Sequence, residues 1–127
     1  MKISSLDHVN IEAVDVDVSA KFYEDVLGLT SGERPPFDEP GHWMYCGDRP
    51  IVHIITPMPD NKLLTGSKDA AISHFSMQIE DYDAAKKRLD DFNVEYRETN
   101  VPDTELRQLF FPDPDGVLIE LLYNPNR

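Results

Sequence analysis

Four histidines and one carboxylate in an apolar run carry the chemistry that this sequence suggests. The histidines are His8, His42, His53 and His74. Glu120 lies in the apolar run 117–123, where an ionised carboxylate is costly to bury without a partner. Imidazole and carboxylate side chains together suit Zn, Fe(II), Ni, Mn or Co. A divalent ion would remove the cost of burying Glu120, so these residue types indicate a metal site.

The spacing of these residues repeats within the chain. A shift of 66 residues places His8 on His74, and a shift of 67 places His53 on Glu120. A single match of this kind is common by chance. Two pairs of metal-binding residue types inside matching elements indicate a duplicated unit. We therefore treat these four residues as one constellation.

The first half of the chain predicts a strand, a helix and three further strands. Residues 6–13 alternate between apolar and polar side chains, which is the period of a half-buried strand. Asp15 or Asp17 can cap the following helix, and Gly28 suits its end, where a left-handed residue is common. Residues four apart predict the apolar face of this helix, namely Val18, Phe22 and Val26. His53 lies in the last of the strands.

The second half predicts the same order of elements after a polar linker at residues 57–69. Its first strand, residues 71–79, contains His74, and Glu120 lies in its last strand. Asp81 can cap the helix, whose apolar residues are Ala85, Leu89 and Phe92. The sequence therefore predicts an α+β protein with a single domain over residues 1–127. It would consist of two βαβββ modules at about residues 1–57 and 70–127.

The composition excludes several classes of protein. Twelve Lys and Arg residues against 24 Asp and Glu residues give a net charge of −12, which repels phosphate backbones and anionic lipids. No nucleic-acid or membrane partner is therefore expected. No apolar run approaches the roughly 20 residues of a membrane helix, and residues 1–8 lack the apolar core of a secretion signal. These features predict a cytoplasmic protein.

Other residues are candidates for lining a pocket or binding a substrate carboxylate. Arg49, Arg97 and Arg107 could bind a carboxylate, although a solvated surface role is the more common one. His42 follows a glycine and is expected in a loop at the mouth of a pocket. Trp43 could form a pocket wall, but aromatic side chains on a half-buried strand usually belong to the core.

Three motifs give the chain a resemblance to a known superfamily. They are LDHV at residues 6–9, FYEDVLGL at 22–29 and FPDPDGVLIE at 111–120. Over nearly its whole length the chain resembles the vicinal oxygen chelate superfamily. That superfamily includes glyoxalase I, extradiol dioxygenases, methylmalonyl-CoA epimerase, fosfomycin-modifying enzymes and bleomycin-resistance proteins. The resemblance implies that the modules form a cup-shaped, partly open β-barrel with the helices outside, and that the protein is a homodimer.

The resemblance also implies a ligand set. His8, His74 and Glu120 would bind a divalent metal ion, namely Fe2+, Zn2+, Ni2+, Mn2+ or Co2+. Two histidines and one carboxylate also form a facial triad, which leaves positions open for substrate and oxygen. His53 stands where glyoxalases and epimerases carry a fourth ligand, usually Glu or Gln. It is therefore either a fourth ligand or an acid/base beside the metal, and His53 and Glu120 are the expected catalytic residues.

The leading prediction is a metal-dependent enzyme, a glyoxalase-like isomerase or lyase. Its small-molecule substrate would place adjacent oxygens on the ion, which stabilises an oxyanion as a Lewis acid. Two alternatives stay open. One is an Fe(II) extradiol ring-cleaving dioxygenase, although Gln108 and Phe110 occupy the place of the Tyr or His acid/base expected there. The other is a non-enzymatic drug-binding protein, which would not need the four-residue constellation.

Overall fold

The elements follow the predicted order in both halves of the chain. The computed structural model describes residues 1–59, 63, 66–67 and 69–127. The first half contains β1 (Val9–Glu12), α1 (Val16–Asp25), β2 (Thr30–Gly32), β3 (Gly41–Cys46) and β4 (Arg49–Ile55). The second half contains β5 (Phe75–Ile79), α2 (Tyr82–Asp91), β6 (Arg97–Asn100), β7 (Arg107–Pro112) and β8 (Leu118–Tyr123). The α+β class and the two βαβββ modules are confirmed.

The chain divides into two compact units, Met1–Asp60 and Asn61–Arg127. Each unit has one four-stranded sheet, with strand order β1-β4-β3-β2 in the first and β5-β8-β7-β6 in the second. In both sheets the first strand is parallel to the last, and the other pairs are antiparallel. The linker predicted at residues 57–69 lies partly outside the described residues. Among the helices that the structure describes, none has the length and apolar character needed to span a membrane.

The register of the first sheet brings the two predicted site residues of this unit onto neighbouring strands. His8 immediately precedes β1, and Asn10, two residues later, lies opposite His53 of β4. On the other side of β4, His53 pairs with Trp43 of β3. The first strand begins at Val9 rather than at residue 6, because its ladder with β4 starts there.

The second sheet repeats this register. His74 immediately precedes β5, and Ser76, two residues later, lies opposite Glu120 of β8. On the other side of β8, Glu120 pairs with Phe110 of β7. In both units, therefore, a histidine just before the first strand accompanies a polar residue on the last strand. In both units this polar residue has an aromatic neighbour on the adjacent strand.

Both helices begin at the aspartates that the sequence indicated. The Asp15 side chain accepts hydrogen bonds from two backbone amides of the first turn of α1, both at 3.1 Å, so Asp15 rather than Asp17 is the N-cap. The Asp81 side chain caps α2 in the same way at 2.9 Å. Gly28 follows α1 with φ of 70°, the left-handed conformation that glycine adopts without a steric penalty. The predictions for Asp81 and Gly28 are confirmed.

The predicted apolar face of α1 was correct only in part, because Val26 is buried and Phe22 is half-buried. Val18 is 55% exposed, and the helix buries a different stripe, formed by Val16, Ser19, Ala20 and Tyr23. Both sets have helical spacing, so periodicity alone did not distinguish them. In α2, Leu89 is fully buried as predicted, but Phe92 lies just past the helix and is 46% exposed.

Each sheet has a core face and a face that carries the site residues. Residues of the first core face are Ile11, Met44, Val52 and Ile54, and residues of the second are Leu109, Phe111, Ile119 and Leu121. Because side chains alternate along a strand, Trp43 and His53 project from the opposite face of the first sheet. Phe110 and Glu120 project in the same way from the second sheet. We call these two surfaces the site faces.

Candidate functional site

In the second unit, His74 and Glu120 face each other. Glu120 is only 6% exposed, and Nε2 of His74 lies 3.6 Å from its Oε1. Two atoms that bind one ion at the usual distance of about 2.1 Å are at most about 4.2 Å apart. The observed separation therefore permits both atoms to bind the same ion.

Hydrogen bonds hold the outer atoms of this pair. Nδ1 of His74 is 3.0 Å from Oγ of Ser73. Nε2 of Gln108 donates to Oε2 of Glu120 at 3.0 Å, and Thr99 Oγ1 donates to Oε1 of Gln108 at 2.9 Å. Metal-binding histidines and carboxylates are typically oriented by such outer partners. The bonds leave Nε2 of His74 and Oε1 of Glu120 directed toward each other.

The ring of Phe110 forms a wall beside this pair. It meets the His74 ring edge to face, with ring centroids 5.3 Å apart. The Arg97 guanidinium lies 5.1 Å from the Phe110 ring centroid, so Arg97 stays a carboxylate-binding candidate. Arg107 instead lies 3.6 Å over the ring of Tyr82 in α2, on the core side of the sheet. This position removes Arg107 from the site.

In the first unit, a carboxylate orients His8. Nδ1 of His8 donates to Oδ2 of Asp7 at 2.7 Å, and this bond is the main cause that lowers the pKa of the Asp7 carboxyl. The His8 side chain is 37% exposed. A carboxylate on one imidazole nitrogen directs the other nitrogen toward a metal in many metalloproteins, so His8 has the local arrangement of a ligand.

His53 lies in the middle of a stack of three rings. The His8 ring is 3.8 Å from it with an interplanar angle of 11°, and the Trp43 ring is 4.0 Å away on the other side with an angle of 10°. An imidazole lone pair lies in the plane of its ring. Two nearly parallel rings therefore direct their lone pairs side by side rather than toward a common point, which disfavours binding of one ion by both His8 and His53.

The environment of His53 favours its neutral form. The residue is 8% exposed, and burial is the main cause that lowers its pKa, followed by the neighbouring His8. Nε2 of His53 is buried and has no hydrogen-bond partner among the described residues. Such an atom is uncommon in native proteins, where buried polar groups are nearly always satisfied.

His42 has a structural role. It lies inside β3 rather than in a loop, and its Nδ1 is 3.0 Å from Oγ of Ser31. Its Nε2 donates to Oδ1 of Asp17 at 2.7 Å, which ties α1 to the sheet. The prediction of a loop histidine at a pocket mouth was wrong, because both ring nitrogens are engaged within the fold.

The structure brings the predicted residues together as two pairs, His8 with His53 and His74 with Glu120. Within each unit taken by itself, the described residues contain no group of three or more His, Cys, Asp or Glu side chains placed to hold a metal ion.

Sequence reasoning missed the residues that orient these side chains. Asp7 and Ser73 each directly precede a site histidine, and the 66-residue shift relates them to each other. That match was a signal in the sequence. Gln108 was considered only as the replacement for a catalytic Tyr or His. Its bond to Glu120 depends on the pairing of β7 with β8, which the sequence does not state.

Comparisons with known proteins identify the family and the fold of this chain. Residues 5–121 match the model of the Glyoxalase/Bleomycin resistance protein/Dioxygenase superfamily. Glyoxylase I 4 of Arabidopsis thaliana is 32% identical, with 95% of this chain and 71% of that protein covered. The crystal structure of lactoylglutathione lyase from Agrobacterium tumefaciens superposes with a TM-score of 0.74 at 19% identity, covering 99% of this chain and 98% of that one.

A fosfomycin resistance protein has the same fold. A FosX mutant from Listeria monocytogenes, complexed with Mn(II) and 1S,2S-dihydroxypropylphosphonic acid, superposes with a TM-score of 0.74 at 18% identity, covering 97% of this chain and 94% of that one. Proteins that share this fold thus include a lactoylglutathione lyase and a fosfomycin resistance protein. The chain belongs to the Glyoxalase/Bleomycin resistance protein/Dioxygenase superfamily.

Proposed function

We propose that this protein is a metal-dependent enzyme, a glyoxalase-like isomerase or lyase that acts on a small molecule with adjacent oxygens. The observation that carries the proposal is the pair formed by His74 and Glu120, whose inner atoms are 3.6 Å apart. Their outer atoms are held by Ser73 and Gln108. His8 is the third ligand, as the family resemblance implies, and the bond from its Nδ1 to Asp7 leaves Nε2 for the ion.

The donor set fits the proposed ion. Two imidazole nitrogens and one carboxylate suit Zn2+, Fe2+, Ni2+, Mn2+ or Co2+, and a relative of the same fold was crystallised with Mn(II). A bound divalent ion supplies Lewis-acid stabilisation of negative charge on a substrate oxygen. Gln108 keeps the Glu120 carboxylate in one orientation, and Phe110 restricts the ring of His74.

His53 is assigned the role of proton acceptor rather than of fourth ligand. Its ring is stacked on His8, which disfavours a shared ion, whereas the lowered pKa keeps it neutral near pH 7. A neutral imidazole with an unpartnered Nε2 can accept a proton from a bound substrate and return it. Such a transfer between neighbouring carbons is the step that an isomerase of this type requires.

The surroundings of Glu120 favour an isomerase or lyase over the two alternatives. Extradiol ring cleavage is expected to use a Tyr or His acid/base before the last ligand. Here Gln108 is committed to Glu120 and Phe110 has no titratable group. A protein that only stores a drug has no need for a 6% exposed carboxylate, which is costly to bury.

Metal analysis of the purified protein tests the proposal. We expect one divalent ion per chain after reconstitution of the wild type. The His74→Ala variant should lose this ion. The His42→Ala variant should keep it and serves as the matched control, because it removes a structural histidine. Formation of lactoylglutathione from its hemithioacetal precursor is the first reaction to assay in the reconstituted protein. A reconstituted wild type without metal, or a His74→Ala variant that keeps its metal, would contradict the proposal.

We further propose that the protein is a cytoplasmic homodimer, as the family resemblance and the composition indicate. Light scattering coupled to size-exclusion chromatography should then give about twice the 14.5 kDa chain mass. A monomeric mass across a dilution series would contradict the dimer.

A further inference from the structure

Near the site face of the first unit lie two buried polar atoms that have no hydrogen-bond partner among the described residues. Three such side-chain atoms occur among the described residues, and they belong to Ser19, Arg34 and His53. Ser19 lies in the core of α1. Nε of Arg34 and Nε2 of His53 are nitrogen atoms, and buried groups of this kind are nearly always satisfied in native proteins. Two such nitrogen atoms without a partner indicate that a ligand binds to them.

The Arg34 side chain is held in place on several sides. Its Nη1 donates to the backbone oxygen of Glu39 at 3.1 Å, and its guanidinium carbon lies 4.8 Å over the ring of Phe37. A Cβ atom at Gly41 would be 2.8 Å from Nη2 of Arg34 and 3.0 Å from Cζ. The guanidinium therefore occupies the space where a side chain at position 41 would stand.

This position places Arg34 on the same face as the stacked rings. Gly41 and Trp43 are two residues apart on β3, so their side-chain directions share one face and lie about 7 Å apart along the strand. Trp43 pairs with His53 and stacks on its ring. The charge of Arg34 is also one of the causes that lower the pKa of His53.

Among the described residues, no carboxylate lies within ion-pairing distance of the Arg34 guanidinium. None of the ion pairs between described residues includes it, although the chain carries a net charge of −12. A guanidinium presents a planar fork of donors that matches a carboxylate with two parallel hydrogen bonds. A phosphate can match the same fork, so the missing partner is an anion with two adjacent oxygen atoms.

We propose that Arg34, with Trp43 and His53, forms a carboxylate-binding site on the first unit, and that the substrate of this protein is a small carboxylic acid. Arg34 pairs with the carboxylate, the edge of the Trp43 ring borders it, and Nε2 of His53 contacts a polar group of the same molecule. The substrate assignment rests on the proposed function, whereas carboxylate binding at Arg34 does not require the metal.

Trp43 is the single tryptophan of the chain, so its fluorescence reports on this site alone. We would titrate the protein as purified, and again after metal removal with a chelator, with lactate, mandelate and pyruvate. The uncharged lactamide and mandelamide and the tetrahedral methylphosphonate serve as comparison probes. The variants are Arg34→Gln, Arg34→Lys and Lys21→Gln. Lys21 pairs with Asp25 on α1, so Lys21→Gln removes one positive charge away from the site.

A carboxylate should change the Trp43 emission in a saturable way, with or without metal. Loss of a charged hydrogen-bonded partner corresponds to roughly 10- to 100-fold weaker binding, which we expect for Arg34→Gln. Arg34→Lys should fall between that variant and the wild type because it keeps the charge without the fork. Lys21→Gln should bind like the wild type, and the amides should bind all variants equally weakly.

Three results would overturn the carboxylate site. They are equal carboxylate affinity in the wild type and Arg34→Gln, no saturable response to any carboxylate, and binding of methylphosphonate in preference to the carboxylates. The Arg34→Lys variant guards against misfolding as the cause of a lost response. A protein that binds carboxylates through Arg34 but no metal would refute the proposed function and leave this site intact. A protein that binds a metal but no carboxylate would refute this site and leave the proposed function intact.

Discussion

Replacement of Gln108 by leucine removes the group that orients the buried carboxylate. The Gln108 side chain bridges two strands, since it accepts from Thr99 at 2.9 Å and donates to Glu120 at 3.0 Å. Leucine has a similar size and cannot form either bond. The substitution therefore isolates the hydrogen bonding from the packing.

The size of the effect follows from the burial of Glu120. Its exposed fraction is 6%, so water cannot fully replace the lost donor. A hydrogen bond to a charged group contributes roughly 1.5–3 kcal/mol, and a neutral one about 1 kcal/mol. We expect the free energy of unfolding of the metal-free protein to fall by about 2–4 kcal/mol. Loss of the orienting partner should also weaken metal binding by roughly 10- to 100-fold.

Urea denaturation of the metal-free protein and competition with a chelator for the metal measure the two effects. Gln78→Leu is the matched control, because Gln78 lies exposed on β5 and its side chain bonds only to Arg127 among the described residues. Thr99→Val removes the neutral bond alone and should cost about 1 kcal/mol. If Gln108→Leu were as stable as Gln78→Leu and bound metal equally well, the proposed role of Gln108 would be refuted.

Three further predictions concern the first unit. Burial lowers the pKa of His53 below its ordinary 6.5, so near pH 6.5 and just below it the unfolded chain binds more protons than the folded one. The free energy of unfolding should therefore fall as the pH drops through this value. Urea titrations should show that the free energy of unfolding depends less on pH in His53→Gln than in the wild type. Asp15→Ala should lower the free energy of unfolding by about 1 kcal/mol, because two amides of α1 lose their acceptor. An unchanged urea midpoint would contradict the cap. Gly41→Ala would place Cβ 2.4 Å from the backbone oxygen of Ile54, so thermal denaturation should show a loss of about 1–3 kcal/mol, and a fully stable variant would contradict this close approach.

The sequence by itself determined the repeated features of this protein. The 66- and 67-residue shifts predicted two βαβββ modules, and the strand registers show His53 and Glu120 at equivalent positions. Asp81 and Gly28 were recognised because a helix end depends on residues within one turn of it. These predictions succeeded because each rests on spacing along the chain.

The tertiary structure decided everything that depends on contact between strands. It selected the buried stripe of α1, placed Gln108 against Glu120, and stacked His53 between two rings. It also brought Arg34, which no motif distinguished, onto the backbone of Gly41. A strand register that differs by one residue moves every side chain to the other face. For that reason residue types alone identified the groups able to do chemistry here, whereas their partners became visible only in the folded sheets.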